Sequence, residues 1–335
     1  MNAAVCTRYG SPEVLEIRDV NDPVPGDNDL LIKVHAAAVT SGDARIRAMR
    51  MPSPTFWLLG RLALGLTAPR QQILGSDLAG TVTAVGHKVT SFAVGDPVIA
   101  ALGARFGAHA QLARIPESGA VVHKPPSLTF EEAAALPFGA ITALHYLRNF
   151  GDVRPGHKVL IIGASGCVGS AAVQIARHLG ATVTGVCSTA NIDRVRALGA
   201  NDIIDYTKDD FTTRTNTYDI IFDTVGATTF ARCKSALTSH ARFLPAVLTM
   251  TEFRQLLWTS LTGGKRLKGG VVLDSKQQLM EILQLVEAGH LQPVIDRQFH
   301  FHDIAEAHRR VDSGRKVGAV VVTMTTPSSH QRHAP

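Results

Sequence analysis

The stretch that most restricts what this chain can become is KVLIIGASGCVGSAAVQIARHLG, residues 158–180. An apolar run ends in glycines at 163, 166 and 169, and a helical pattern follows in which Val168, Ala172, Ile175 and Leu179 share one face. Without a Cβ, Gly163 can turn sharply, Gly166 lets main-chain N–H groups approach an anion, and Gly169 lets the helix close on the strand. Ser165, Cys167 and Val168 complete the turn. The positive end of the helix dipole would face the bound group, so the expected occupant is a diphosphate. Glycines that merely shape a strand-to-helix turn would look the same in isolation, and the surroundings have to separate the two readings.

The surroundings continue the pattern. KVLIIG, TVTGVC, DIIDY, YDIIFDTVG and ARFLPAV are near-continuous apolar runs of the kind buried on both faces of a parallel sheet. Between them, CVGSAAVQIARHLG, ANIDRVRALGA and TTFARCKSAL have the length of right-handed crossover helices. The predicted unit is α/β, a doubly wound parallel sheet of the Rossmann kind over residues 125–287. SLTFEEAAALPFGAITALHYLRNF leads into it and reads as a helix with Ser127 as N-cap and Glu131 in the first turn. Ahead of that, LLIKVHAAAV, AGTVTAVG, GDPVIAAL and GAHAQLARIP are short strands broken by turn residues, which predicts a mostly antiparallel β domain. The chain closes with a helix stopped by Gly289, a strand, a helix and a strand, and this closing part is assigned back to the first domain. That domain is then discontinuous, 1–124 with 288–335, and residues 325–335 read as a disordered tail.

Composition narrows the function class. The four cysteines, Cys6, Cys167, Cys187 and Cys233, form no CxxC pair, which argues against a disulfide framework or thiolate zinc site and for a reducing, cytoplasmic setting. The net charge of +6 is spread along the chain without a basic cluster, so no nucleic-acid partner is expected, whereas an anionic small ligand suits it. No uninterrupted run of about 18 apolar residues occurs, and no membrane span is expected. The nearest candidate, TFWLLGRLALGL at 55–66, is interrupted by Arg61 and is read as a buried or pocket-capping helix in preference to a membrane-surface anchor.

Which dinucleotide the turn would hold depends on the next strand. A site for NAD usually carries Asp or Glu at the end of the second strand, against the ribose 2′-hydroxyl. Here that strand ends TVTGVCST, with Ser188 and Thr189 in place of the acid, Asn191 following, and Arg194 one turn further on. A 2′-phosphate would meet hydroxyls and a cation, which favours NADPH. The plainer alternative makes Ser188 a helix cap and Arg194 a solvated charge.

ILGSDLAGTVTAVG, FAVGDPVIA, LPFGAITALHYL, the glycine turn, LGANDIIDYTKDDF, YDIIFDTVG and GRKVGAVVV follow one another along nearly the whole chain. In that order they resemble the zinc-independent medium-chain dehydrogenase/reductases, the group of quinone oxidoreductases, ζ-crystallin-like proteins and enone reductases. The resemblance implies a GroES-like first domain, a Rossmann second domain and NADPH in the cleft between them. It also implies that Thr142 lies near the nicotinamide, that Gly166, Cys167 and Val168 line the pyrophosphate, and that Ser188, Asn191 and Arg194 hold the adenosine phosphate. Tyr206 would meet the adenine or its phosphate, and Val225 and Gly226 the nicotinamide ribose. Thr142 has the alternative of bonding its own helix, and Tyr206 that of a strand-edge aromatic. By the same analogy the protein would be a homodimer, with the apolar segment 247–261 at the interface or over the substrate mouth.

Zinc-dependent relatives place Cys and His-Glu in the first domain, because a catalytic zinc needs three protein ligands and one open position. This chain has VTSGDARI and GSDLAG there, and Ser41, Gly42 and Ser76 cannot make that set. His290, His300, His302 and His308 lack repeat spacing and read as surface histidines, so no metal is expected. Without a Lewis acid to polarise an alcohol, acceptors that take hydride readily, quinones and conjugated enones, are the expected substrates. Asp43, with Arg47 after it, is either the candidate proton donor or half of a structural pair. Ser41, Phe56, Trp57, Phe106 and Phe138 are candidate walls for a flat apolar substrate, or core. Two features depart from the family pattern: Ala319 follows Gly318 where a lysine is usual, leaving Arg315 or Lys316 to supply the cation, and SGDAR lacks the usual Asn-Pro. The competing reading is an NADPH-binding structural or regulatory protein with little turnover. A polyketide-type enoyl reductase component is not expected, since no carrier or synthase module adjoins it.

Overall fold

The computed structural model describes residues 1–51, 53–261 and 263–324, and the tail expected over 325–335 lies outside these. Its first part runs β1 (Asn2–Cys6), β2 (Leu15–Asp19), β3 (Asp29–Val39), α1 (Ser41–Ala48), α2 (Pro54–Leu64), β4 (Asp77–Val85), β5 (Pro97–Ala101), β6 (Leu112–Pro116) and β7 (Ala120–His123). Helices α3 (Phe130–Ala135) and α4 (Pro137–His145) lead into β8 (Lys158–Ile162), α5 (Cys167–His178), β9 (Thr182–Cys187), α6 (Ile192–Ala197), β10 (Asp202–Asp205), β11 (Tyr218–Asp223), α7 (Phe230–Cys233) and β12 (Leu237–Pro245). The chain ends through α8 (Met250–Leu261), β13 (Arg266–Leu267), α9 (Lys276–Glu287), β14 (Ile295–His300), α10 (Ile304–Asp312) and β15 (Ala319–Thr323).

Beside a two-stranded antiparallel ribbon of β1 and β2, two larger sheets follow from two sequence periods. The first is seven-stranded, in the order β14-β15-β3-β4-β5-β7 with β6 also on β3, and is antiparallel except where β14 meets β15. β3 alternates, burying Leu30, Ile32 and Val34, as a sheet with one face on a core requires. The second is six-stranded, in the order β10-β9-β8-β11-β12-β13, and wholly parallel. Its central strands β8 and β11 are apolar and buried along most of their length because helices cover both faces. From β8 the chain builds outward through β9 and β10, then returns to start β11 on the other side. The strand order therefore reverses between β8 and β11, and the carboxyl ends there open a crevice.

Local chemistry changed several details. The expected helix over 127–150 starts at Phe130, capped by Thr129 in a box with Glu132, because Thr129 can accept the N3 amide as Ser127 cannot. It breaks at Pro137, which opens α4, and finishes in a π-turn at Tyr146–Phe150. The expected helix TTFARCKSAL forms only one turn, Phe230–Cys233. Segment 55–66 was expected to be buried or to cap a pocket. No residue of α2 is buried.

Candidate functional site

The glycine turn divides its work unequally. Gly163 has φ +77°, and a methyl there would stand 2.7 Å from Val225 Cγ1, so the turn itself demands glycine. A methyl on Gly169 would meet the Gly163 carbonyl oxygen at 2.0 Å, so close packing of α5 on β8 demands glycine there as well. Gly166 is different. Its φ of −75° suits any residue, and a methyl would meet only the Gly163 oxygen, at 3.4 Å. The protein does not itself use the space Gly166 leaves open. That space lies where α5 begins with no side-chain cap, at the N–H groups that an anion satisfies. The residues present therefore fit a diphosphate.

A cation stands at the same turn. The Gly318 N–H donates to Ser165 O at 2.9 Å, which brings the loop before β15 across from the first domain. Lys316 Nζ bonds Gly318 O at 3.1 Å and its charge acts on the Cys167 thiol, whereas Arg315 is exposed. Lys316 thus stands in the vicinity that Ala319, buried at the start of β15, leaves without a cation. Burial pushes the Cys167 thiol up and the lysine opposes it.

At the adenosine end, Asn191 Nδ2 donates to Ser165 Oγ (3.3 Å) and Ser188 Oγ (3.2 Å), tying the turn to the end of β9. Arg194 is exposed and makes no ion pair among the described residues, and Tyr206 lies exposed just after β10. The sequence reading missed Asp205, which ends β10 beside Cys187 of β9. Hydrogen bonds from Thr189 and Thr207 hold its carboxyl below the usual range, so it is ionised. Its charge is engaged by both hydroxyls and by Lys208 at 3.8 Å.

The other lip of the crevice is organised by a second unpredicted acid. Fully buried Asp223, at the end of β11, accepts N–H bonds from Val225 (3.1 Å), Gly226 (2.8 Å) and Thr228 (2.9 Å). This leaves Val225 exposed and gives Gly226 a φ of +77°. A carboxylate at a strand end followed by Thr-Val-Gly was the available signal for it. On α4, Thr142 sits half-buried one turn beyond Phe138, and no hydrogen bond among the described residues satisfies its hydroxyl. The Phe138 N–H donates to Asp77 Oδ2 at 3.1 Å, and a methyl on Gly42 would reach Phe138 Cε2 at 3.8 Å. The ring therefore faces the start of α1, beside Ser41. Desolvation, reinforced by Asp274 and Asp43, pushes the Asp77 carboxyl well above its ordinary range.

Other predicted residues lie elsewhere or serve the frame. Asp43 is buried: Oδ2 accepts from Thr40 N (2.8 Å) and Thr40 Oγ1 (2.6 Å), and Oδ1 from Gly75 N (3.1 Å), so it caps α1 and anchors the next loop. Arg47 pairs with Asp312 at 2.5 Å rather than with Asp43. Phe56 is half-buried, and Trp57 lies outward with the Arg61 guanidinium 4.8 Å over its ring. Phe106 takes a φ of +53° in the turn after β5. His308 corrects the expectation of a surface histidine: it is wholly buried, edge-on to His109, because α10 turns this face onto the first sheet. Among the described residues no three His, Cys, Asp or Glu side chains converge as metal ligands. A polar cavity of about 320 Å³ lined by Asp152, Arg154, His157, Asp219 and Arg242 opens at the amino ends of the parallel strands, the end away from the crevice.

A GroES-like sheet joined to a parallel sheet whose strand order reverses at a glycine turn defines the class: a two-domain α/β protein of the dehydrogenase type. The alcohol dehydrogenase GroES-like domain family matches residues 26–126, and the zinc-binding dehydrogenase family residues 198–322. The mouse mitochondrial NAD(P)H oxidoreductase RTN4IP1 is 34% identical, over 97% of this chain and 89% of that one. The tomato 2-methylene-furan-3-one reductase is 30% identical, over 96% of this chain and 79% of that one. The quinone oxidoreductase of Coxiella burnetii superposes with a TM-score of 0.85 at 28% identity, covering 97% and 99% of the two chains. The chain belongs to the medium-chain dehydrogenase/reductases, in the group of quinone oxidoreductases and enone reductases.

Proposed function

We propose that this protein is a zinc-independent, NADPH-dependent reductase of quinones or α,β-unsaturated carbonyl compounds. The observation that carries the reading is the unused space at Gly166 against the uncapped start of α5. When bound, NADPH supplies the hydride. The chain's own residues do the rest: the first turn of α5 with Gly163, Ser165, Gly166, Cys167, Val168 and Gly169 holds the diphosphate, and Lys316 adds a cation beside it. Ser188, Asn191 and Arg194 hold the 2′-phosphate, with the Asp205 charge kept from it by two hydroxyls and a lysine. Tyr206 borders the adenine, Val225 and Gly226 the nicotinamide ribose, and Thr142 offers a hydroxyl towards the nicotinamide side of the cleft. Ser41, Phe56 and Phe138 are proposed to border the substrate, with Trp57 lying outward of them, and Asp43 to act by positioning α1 and the loop at Gly75 and not by moving a proton.

The positions that carry zinc ligands in other branches hold Ser41, Gly42 and Ser76 here, which supports chemistry without a metal. We place the domain boundaries at 124/125 and 287/288, and the protein, with four unpaired cysteines, in a reducing compartment such as the cytoplasm. A homodimer is supported by the outer edge of the six-stranded sheet. There β13 is the last strand, and Val271 and Leu273 beyond it are 84% and 78% exposed while Val272 between them packs inward. The test is nicotinamide absorbance with a panel of quinones and short enones, using NADPH and NADH in turn. Turnover with at least one class, faster with NADPH, is expected. NADPH binding without turnover across the panel would reduce the protein to a cofactor-binding module.

A further inference from the structure

α2 carries its apolar face outward. Ser53 caps it by accepting the Phe56 N–H, Pro54 sits in its first turn and Gly65, at φ +132°, ends it, so it is a well-bounded helix. At 100° per residue, Phe56, Gly60 and Leu64 fall on one side and, with Arg61 at its edge, are the partly covered residues of the helix; a methyl on Gly60 would stand 3.1 Å from Met51 Cε. Leu58, Leu59 and Leu62 fall on the other side, and with Leu66 just beyond the helix they are between 54% and 65% exposed. A surface helix of a globular domain has the reverse arrangement.

The sequence around this face is basic, although Arg47 is buried against Asp312 and does not reach the surface. From residue 44 to residue 76 the chain carries five arginines and none of its 28 acidic residues. Two guanidinium groups lie beside the exposed leucines: Arg70 Nη2 donates to Leu62 O at 3.2 Å, and Arg61 donates to Leu66 O while lying over the rings of Trp57 and Tyr9. Arg50, ahead of the helix, is exposed and only loosely paired with Asp312, at 3.6 Å. Leucines outward, a tryptophan at their margin and arginines alongside form the pattern of a helix that lies in a bilayer interface, the cations meeting anionic headgroups and the leucines the acyl boundary. No helix among the described residues is long and apolar enough to cross a membrane, so this contact is with one surface.

We propose that α2 is a docking element for an anionic lipid bilayer. Docking stands independently of turnover. If the proposed reductase activity holds, it sets a protein that reduces flat apolar molecules against the phase in which such molecules concentrate.

The test uses the full chain and sedimentation with vesicles, either phosphatidylcholine alone or with about a third phosphatidylglycerol. Binding to the anionic vesicles is expected to be about ten-fold stronger than to neutral ones and to fall in ~0.5 M salt. Leu58→Ser with Leu62→Ser should abolish it while NADPH binding, measured by fluorescence titration, is unchanged. In a Trp258→Phe background, Trp57 emission should shift to the blue on addition of anionic vesicles, a readout that leaves α2 intact. Absence of vesicle binding and of that shift overturns the proposal. So does a doubly substituted chain that still binds vesicles but has become a monomer, which would make α2 a contact between copies. A higher KM for a short water-soluble enone with vesicle binding unaltered would make it a substrate lid, and likewise overturns it.

Discussion

Gly166 and Gly169, given different tasks by their places in the glycine turn, behave oppositely in the structure. A methyl at 169 would stand 2.0 Å from the Gly163 carbonyl oxygen, whereas a methyl at 166 would meet only that oxygen, at 3.4 Å. Gly169→Ala is therefore expected to give little folded protein, since neither β8 nor α5 can retreat without opening the core. Gly166→Val is expected to keep its melting temperature within about 2 °C, as a surface substitution does, and to weaken NADPH binding at least ~10-fold through lost N–H contacts and bulk. Thermal melts paired with fluorescence titration of both variants check this, and a Gly166→Val protein that binds NADPH normally would remove the diphosphate from this turn. The acids teach the complementary lesson. Asp223 carried a signal in the Thr-Val-Gly that follows it and Asp205 carried none, because a strand-end Asp has many uses; the hydrogen bonds show one shaping a lip and the other quieted.

At the scale of elements, α10 carries the clearest pH dependence. His308 faces His109 and Arg47 inside the first domain, and neither of its ring nitrogens has a hydrogen-bond partner among the described residues. Burial, followed by His109 and Arg47, holds its pKa well below the ordinary 6.5, so it is neutral in the folded chain. The unfolded chain takes up a proton near pH 6.5 that the native state refuses. Stability from this group is complete above that pH and is lost as pH falls below it, by up to about 1.4 kcal/mol per pH unit. Urea unfolding at pH 7.5, 6 and 5 should show His308→Leu with a shallower loss than the parent, and parallel curves would refute the assignment. α3 and α4 show how tertiary context edits a long apolar pattern: Thr129 and Pro137 set the boundaries that periodicity alone had drawn through.

For the whole molecule, the open edge beyond β13 bears on assembly. Lysines on Val271 and Leu273 together should halve the mass seen by sedimentation velocity while leaving NADPH affinity intact, because charge on an apolar sheet edge opposes pairing and the edge lies away from the glycine turn. A chain that is already monomeric, or a double variant that remains a dimer, would remove this edge from the interface. The two sheets meet at the glycine turn through Gly318 and Ser165 and through Asp77 and Phe138, so the crevice belongs to both.

The sequence by itself determined the two large sheets and the glycine turn, because period-two alternation and unbroken apolar strands are local facts. Only the tertiary structure decided what each residue does with its neighbours. Asp43 became a cap, Lys316 came to the turn from 150 residues beyond Gly166, His308 went inside, and the leucines of α2 stayed out. Burial and partnership are set by residues far apart in the chain, and no period records them.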